Sequence, residues 1–263
     1  MTRETPKSGY APAAGAAAAT TIVTDASGLT TAMVDLPGGA PAYVARPSGG
    51  GAWPVILIAQ EIFGLHEHIR DIARRFAKLG YYAIAPDYLI RYGDPAAAAD
   101  IDAIRAIVAR VPDAVTMAVF DEACAFASTQ GGNAARVVIT GFCWGGRIAW
   151  LYAAHRPDLR ACIPWYGRLD GAHTSQQPRW PIDLADDMRV PTLGLYGGAD
   201  PMIPVDLVQK LREGLAAAGA PAEIVVYDNA PHGFYADYRD SFRAGVATQA
   251  WTRMCAFLAA QGF

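Results

Sequence analysis

The segment Gly141-Phe142-Cys143-Trp144-Gly145-Gly146 decides the fold, because it joins a predicted strand to a predicted helix through a tight turn. The apolar run Val137-Val138-Ile139-Thr140 precedes it, and the helix-like stretch from Arg147 to His155 follows it. The pattern Gly-x-nucleophile-x-Gly is typical of a strained strand-to-helix turn, in which side chains two residues either side of the nucleophile would collide. We therefore expect the Cys143 sulfur at a helix N-terminus, where N–H groups and the helix dipole favour a thiolate and an oxyanion.

Strands and helices alternate on both sides of this turn. Residues 55–59 form a continuous apolar run, as expected of a strand buried on both faces, and residues 69–76 carry apolar side chains at helical spacing. Further strands are predicted at 42–45, 81–85, 161–163, 192–196 and 223–227, and further helices at about 114–129, 205–218 and 241–260. With the turn at Cys143, this alternation predicts an α/β-hydrolase fold, in which helices flank a mostly parallel central sheet.

The chain is long enough for one large domain, and we divide it into two parts. Residues 1–28 are an Ala- and Thr-rich N-terminal arm, and residues 29–263 are the α/β-hydrolase domain. Residues 11–19 lack the Leu/Val core of a secretory signal, so we expect a cytoplasmic protein. Residues 168–189 show no clear periodicity, which predicts a long surface loop near the site.

The composition narrows the classes of partner. The net charge is −3 with acidic and basic residues interspersed, so neither nucleic acid nor an anionic membrane is expected as a partner. The sequence has no GxGxxG after its first strand and no cluster with metal-ligand spacing, so we expect no cofactor and no metal. The pattern leaves the oligomeric state open between monomer and dimer.

A nucleophilic thiol needs a base, and the base needs a third group that holds its tautomer. In this fold both follow late strands, in the chain order nucleophile, acid, histidine. Asp200 comes just after the strand at 192–196, and His232 comes after the strand that ends at Tyr227. The alternatives are an inert buried Cys143, a turn aspartate and a loop histidine.

The remaining histidines and cysteines are expected to be structural. His66 and His68 alternate around Glu67 and so do not share one helical face, which favours a solvated helix start over a metal site. Two other histidines are expected at the surface and three cysteines in the core: His155, His173, Cys124, Cys162 and Cys255.

Together these motifs resemble the dienelactone hydrolase (carboxymethylenebutenolidase) family over residues 40–260. The resemblance implies that Cys143 is the nucleophile, His232 the base and Asp200 its orienter. It also implies that Glu61 helps to generate the thiolate when substrate binds, although Glu61 could instead be a surface carboxylate at a helix start. The segments that carry the resemblance are Gln60-Glu61-Ile62-Phe63-Gly64, Pro86-Asp87-Tyr88, the hexapeptide around Cys143, and Gly198-Ala199-Asp200.

The resemblance extends to substrate contacts. The backbone N–H groups of Ile62 and Trp144 match the family's oxyanion hole, and Arg91 matches an arginine that pairs with the substrate carboxylate. Three aromatic residues complete the expected substrate-binding set: Tyr88, Trp165 and Phe234. One position departs from the family pattern. The best-known members have a second carboxylate-binding arginine four residues after the histidine, and this chain has Ala236 there, with Arg239 and Arg168 as candidates to replace it.

The sequence thus predicts a carboxylic ester hydrolase that cleaves a dienelactone-like, carboxylate-bearing lactone or enol ester through an acyl-thioester on Cys143. Two alternatives stay open. The chain could be a carboxylesterase of broader specificity that does not act on dienelactone, or a hydrolase-fold protein that binds a ligand without turning it over.

Overall fold

Eight strands form one sheet in the structure, a computed structural model that describes residues 19–263. The strands are β1 (Leu29–Asp35), β2 (Pro41–Pro47), β3 (Trp53–Ala59), β4 (Tyr82–Pro86), β5 (Gly132–Phe142), β6 (Ala161–Trp165), β7 (Thr192–Gly197) and β8 (Ala222–Tyr227). Their order across the sheet is β1-β2-β4-β3-β5-β6-β7-β8. Only β1 with β2, and β2 with β4, pair antiparallel, so the predicted mostly parallel sheet is confirmed.

Six α-helices accompany the sheet in the described part of the chain. They are α1 (Glu67–Lys78), α2 (Ile101–Ala109), α3 (Asp113–Thr129), α4 (Trp144–His155), α5 (Val205–Ala217) and α6 (Ala244–Ala260). Helix α1 packs on β2 and β4, α3 on β4 and β5, α4 on β5 and β6, and α6 on β7. No helix within residues 19–263 is both long and apolar enough to cross a bilayer.

Two elements have no counterpart among the predicted ones. Strand β1 lies at the edge of the sheet and alternates between exposed and half-buried residues, so it lacks the continuous apolar run of a central strand. Helix α2 is nine residues long, and its N-terminus is capped by Asp100, whose carboxylate accepts a hydrogen bond from the Ala103 N–H at 2.8 Å. Short or edge elements carry the weakest periodic signal.

The segment 168–189 differs from the predicted surface loop. Its backbone is irregular, with short 3₁₀ turns at Pro181–Asp183 and Ala185–Asp187. Its apolar side chains Trp180, Leu184 and Met188 are nevertheless buried. The segment is therefore irregular in backbone but part of the core in packing.

The described part of the N-terminal arm, residues 19–28, lies along α1. The Thr24 N–H donates to the Asp71 carboxylate at 2.6 Å, and the Arg74 guanidinium donates to the Thr24 carbonyl at 2.8 Å. Residues 1–18, where most of the stretch tested for a secretory signal falls, lie outside the described residues.

Two glycines allow β5 and α4 to meet at Cys143. A Cβ on Gly141 would overlap the Gly145 carbonyl oxygen, and a Cβ on Gly145 would overlap the Ala59 carbonyl oxygen of β3. The turn and the neighbouring strand therefore approach more closely than any side chain permits. This is the collision that the spacing of the glycines predicts.

We expect Gly145→Ala to lower the free energy of unfolding by at least about 2 kcal/mol, because backbone atoms must move to admit the methyl group. A urea titration followed by tryptophan fluorescence measures the change. Gly245→Ala is the matched control, since a Cβ at that position in α6 meets nothing within 4 Å. A loss at Gly145 no larger than that of the control would contradict the steric account.

Candidate active site

Cys143 sits at the turn between β5 and α4 in a backbone conformation that is rare for a side-chain-bearing residue. Its φ is 55° and its ψ is −116°. Its N–H donates to the Trp165 carbonyl of β6 at 3.1 Å, which holds the strained turn against the sheet. Such strain costs on the order of 1–3 kcal/mol and persists only where neighbouring structure over-determines it. The half-buried Cys143 sulfur is consequently presented at the N-terminus of α4.

Asp200 and His232 meet at the carboxyl edge of the sheet, after β7 and β8. The Asp200 Oδ2 atom lies 2.7 Å from Nδ1 of His232, and the Asp200 side chain is fully buried. Its other oxygen, Oδ1, accepts the Met202 N–H at 2.8 Å. With both oxygens engaged, the carboxylate has a fixed orientation and holds the imidazole with Nε2 directed away from it.

The charge around His232 favours its protonated form. Burial by itself would lower its pKa, but the negative charge of a Cys143 thiolate and the hydrogen bond to Asp200 raise the pKa of His232 to about 10. The buried Nε2 atom has no hydrogen-bond partner of regular geometry within 19–263, so the Cys143 sulfur acts on it through charge and proximity. A protonated imidazole is the state of His232 that this arrangement favours.

Two backbone N–H groups lie free beside the turn. Trp144 is the first residue of α4, so its N–H has no acceptor within the helix, and the Ile62 N–H follows β3 in an irregular loop. Neither group donates to a protein acceptor in the described structure. Free N–H groups at a helix start suit a developing oxyanion.

Glu61 is buried with no exposed surface, which excludes the surface position considered for it. Its Oε2 atom lies 3.2 Å from Nε2 of His66 and accepts the Tyr238 hydroxyl at 2.7 Å. Its Oε1 atom is buried and has no partner among the described residues. Burial would raise the pKa of Glu61, but His66, together with the charges of His68 and Arg239, lowers it to about 2.

The predicted solvated start of α1 is wrong. The side chains of His66 and His68 are only 9% and 2% exposed, and Nδ1 of His68 lies 3.0 Å from the Asp237 carboxylate. The segment after His232 folds over the start of α1 and excludes water from it. The alternation of the two histidines could not reveal a cover that comes from a distant part of the chain. As predicted, His155 and His173 are exposed, and Cys124 and Cys162 are buried, whereas Cys255 is half-buried.

The three aromatic residues expected to contact substrate are buried. Trp165 and Phe234 have no exposed surface and pack against each other with ring centroids 6.2 Å apart, so we revise their expected contact with substrate to a place in the core. Tyr88 is also buried, and its hydroxyl donates to the Gln60 carbonyl at 2.7 Å, next to Glu61.

The arginines divide between the site and its surroundings. Arg91 is exposed, and its guanidinium lies beside Gly39 in the turn between β1 and β2. Arg168 lies over the Trp180 ring at 5.5 Å. Arg239 lies over the Phe63 ring at 5.5 Å and beside Gly233, the residue that follows His232.

Arg239 is the arginine most closely coupled to the site. Burial would lower its pKa, but the negative charges of Glu61 and of an ionised Cys143 contribute to raising it. Its guanidinium makes no hydrogen bond within 19–263. The position expected to hold an arginine, Ala236, is fully buried, so an arginine there would have no room without rearrangement.

Tyr166 and Tyr238 are site residues that the sequence motifs did not indicate. Tyr166 has a positive φ of 36°, its ring meets that of His232 edge-on at 5.2 Å, and its buried hydroxyl has no partner in the described structure. It follows the strand β6, so its place at the carboxyl edge was available as a signal. Tyr238 lies in an irregular segment, where no sequence pattern pointed to it.

No group of three or more potential metal ligands occurs in residues 19–263. The arrangement offers a thiol, a charged imidazole, a buried carboxylate and free N–H donors within one site. These are the parts of acyl transfer to a nucleophile, followed by hydrolysis.

Comparison with known proteins identifies the family. Residues 40–262 match the model of the "Dienelactone hydrolase family". The "Putative carboxymethylenebutenolidase" of Salmonella typhimurium is 48% identical over 260 residues, which cover 97% of this chain and 96% of the relative. A protein of the same name from Methylorubrum extorquens is 50% identical over 243 residues, which cover 90% of this chain and 84% of the relative.

A solved structure agrees with the sequence relatives. The crystal structure named "Putative Dienelactone Hydrolase" from Klebsiella pneumoniae has a TM-score of 0.86 and 47% identity, and the match covers 88% of this chain and 98% of that one. The predicted α/β-hydrolase fold is thereby confirmed. The chain is a hydrolase, and it belongs to the dienelactone hydrolase family.

Proposed function

We propose that this hydrolase cleaves a carboxylate-bearing lactone or enol ester through a Cys143-His232-Asp200 triad and an acyl-thioester intermediate. The observation that carries the proposal is the 2.7 Å contact between Asp200 Oδ2 and His232 Nδ1, at the same edge of the sheet as the turn that carries Cys143. A thiolate–imidazolium pair beside free N–H donors is the equipment that nucleophilic acyl transfer requires.

The first half of the reaction forms a new C–S bond. The Cys143 thiolate attacks the lactone carbonyl, and the N–H groups of Ile62 and Trp144 stabilise the oxyanion, each contributing on the order of 3 kcal/mol. Collapse of the tetrahedral intermediate breaks the ring C–O bond. The leaving enolate is already a stabilised anion, and it takes its proton from the His232 imidazolium, which leaves the imidazole neutral for the second half of the reaction.

The second half restores the thiolate. Neutral His232 accepts a proton from water as the water oxygen attacks the thioester carbonyl, and the C–S bond breaks to release the acid and the thiolate. Asp200 keeps the imidazole in the required tautomer throughout. Simple alkyl esters need more protonation of the leaving group than this site provides, so we expect slower turnover of them.

Arg239 is the residue we propose for the substrate carboxylate. It is partly buried beside Gly233 and Phe63, and its guanidinium donors make no hydrogen bond in the described structure. A guanidinium can form a bidentate pair with a carboxylate. The orientation of Arg91 toward Gly39 and the buried Ala236 favour a second candidate, a broader carboxylesterase that does not need a substrate carboxylate.

The location of the protein in the cell is a further part of the proposal. All four cysteines are free, including the half-buried Cys143. A free nucleophilic thiol persists most readily in a reducing compartment, which supports a cytoplasmic enzyme.

We expect Cys143→Ala to abolish hydrolysis of both a dienelactone and p-nitrophenyl acetate, because no other described thiol lies at the turn. Initial rates of the purified protein measure this, and Cys124→Ala is the matched control, since Cys124 is buried in α3. A Cys143→Ala variant that keeps either rate would remove the nucleophile assignment. Stoichiometric labelling of Cys143 without turnover would instead favour a ligand-binding protein.

The raised pKa of His232 predicts an unusual pH dependence of alkylation at Cys143. Since His232 stays protonated up to a pH of about 10, its positive charge should favour the thiolate, so we expect iodoacetamide to react faster at pH 7 with wild type than with His232→Ala. The difference should shrink toward pH 10, where the imidazolium loses its proton. Equal rates at pH 7 would show that the imidazolium does not stabilise the thiolate.

Removal of the guanidinium at position 239 should affect carboxylate-bearing substrates selectively. We expect Arg239→Met to lower kcat/KM on a dienelactone by about 10- to 100-fold, the value of one charge-assisted hydrogen-bonded contact, and to change that on p-nitrophenyl acetate little. Arg91→Met is the matched comparison. If Arg91→Met gives the selective loss and Arg239→Met does not, the carboxylate binds at Arg91.

A further inference from the structure

The carboxylate of Glu61 is engaged on one oxygen only. Both of its hydrogen-bonding neighbours, His66 Nε2 at 3.2 Å and the Tyr238 hydroxyl at 2.7 Å, meet Oε2. The other oxygen, Oε1, is buried without a partner in the described structure. Burying a carboxylate oxygen without a hydrogen-bond donor costs free energy. We therefore expect a ligand or a reacting group to donate a hydrogen bond to Oε1.

The proton positions in this cluster follow from the charge of Glu61. Its pKa of about 2 makes it a carboxylate at neutral pH, which can only accept hydrogen bonds. Nε2 of His66 must therefore carry a proton. Burial is the main cause that lowers the pKa of His66, so the ring is a neutral Nε2–H tautomer that donates to Glu61. Burial and the negative charge of Glu61 raise the pKa of Tyr238, which keeps its hydroxyl protonated.

The two donors come from elements that are themselves fixed to each other. His66 immediately precedes α1, and Tyr238 lies on the segment that follows His232. The Tyr238 ring packs 5.0 Å from the rings of both His66 and His68. Nδ1 of His68 in turn lies 3.0 Å from the Asp237 carboxylate, so the start of α1 and the segment after His232 are held together. His66 and Tyr238, the two residues that contact Glu61, come from these two segments.

We propose that His66 and Tyr238 are positioning residues that hold Glu61 as an ionised, buried carboxylate with Oε2 occupied and Oε1 free for the reaction. The proposal rests on the proposed function and on the role that the family resemblance implies for Glu61, which is to help generate the thiolate when substrate binds. Glu61 then accepts a hydrogen bond on Oε1 alone, from the Cys143 S–H group as the thiolate forms or from the bound substrate. His66 and Tyr238 together keep the Glu61 carboxylate charged, and they leave Oε1 as the oxygen that takes part in the reaction.

Other ionisable groups also face this cluster, from every element packed against it. Arg239 and His68 contribute positive charge to Glu61, and Arg70 faces His66. Tyr88, which follows β4, and Tyr166, which follows β6, also face the carboxylate, and each of them faces Cys143 as well. None of these groups donates a hydrogen bond to Oε2, so within 19–263 only His66 and Tyr238 are donors to that oxygen.

The test compares variants that remove the donors with one that keeps a donor. In His66→Leu/Tyr238→Phe, burial without donors should protonate Glu61 near neutral pH, because burial disfavours the charged form. We expect kcat at pH 6 to 7 to fall about 10- to 100-fold and to recover as the pH rises and Glu61 ionises. His66→Gln should stay within about threefold of wild type, since its amide can donate from nearly the same place.

A matched control exists elsewhere in the fold. Asp121 accepts the Tyr152 hydroxyl at 2.9 Å and lies 3.0 Å from His155 Nε2, so it is also a carboxylate held by a tyrosine and a histidine. His155 ends α4, about 16 Å along the helix from its start. The double variant His155→Leu/Tyr152→Phe should therefore lose stability but keep the wild-type pH profile.

A second measurement does not depend on turnover or on the double variant. Long-range ¹H–¹⁵N spectra of histidine-labelled protein should show His66 as a neutral Nε2–H tautomer at pH 7, and its signals should move in both Glu61→Gln and Tyr238→Phe. Unmoved signals, or a kcat–pH profile of the double variant that overlays wild type, would overturn the positioning role. Turnover that is unaffected by both Cys143→Ala and Glu61→Gln would instead contradict the proposed function. The spectra would still show whether His66 and Tyr238 donate hydrogen bonds to Glu61.

Discussion

The close approach of β5, α4 and β3 at Cys143 is the constraint on which the site depends. Gly141 and Gly145 leave no room for a Cβ, so the chain reverses from strand to helix within one residue of unusual φ. That turn directs the sulfur to the helix N-terminus and frees the Trp144 N–H beside it. A looser turn would satisfy the N–H within a longer loop and would separate the thiol from the donors that stabilise its charge.

Helix α4 transmits this constraint to the irregular segment 168–189. The Arg147 guanidinium lies between the rings of Trp144 and Trp180, at 4.6 Å and 4.4 Å, and forms a bidentate pair with Asp113 at 2.6 Å and 2.8 Å. It also donates to the Arg179 carbonyl at 2.8 Å. A buried charge of this kind is tolerated only when it is paired and hydrogen-bonded. The Arg147 guanidinium therefore has all of these partners only when residues 168–189 fold against the start of α4, next to the site.

Charge balance within the site follows the same principle. Asp200 is buried because His232 and a backbone N–H engage both of its oxygens, whereas Glu61 is buried with one oxygen engaged and one free. Asp200 can therefore only orient the base, whereas Glu61 has one oxygen that can still accept a hydrogen bond during the reaction. Arg239 adds positive charge at the same edge and keeps its own donors free. The site thus holds two anions and a thiol without a metal ligand cluster in the described residues.

The sequence by itself determined the elements with a local signature. The hexapeptide around Cys143, the order of Cys143, Asp200 and His232, and the apolar runs of the central strands each follow from steric or burial rules that act over a few residues. Only the tertiary structure decided which side chains enclose Glu61, because Tyr238 lies 177 residues away from it in the chain. It likewise buried His66, His68, Trp165 and Phe234, and brought Arg239 to the site. Those contacts form where the irregular segments that follow different strands come together at one edge of the sheet. Such segments have no periodic sequence pattern from which the contacts could be predicted.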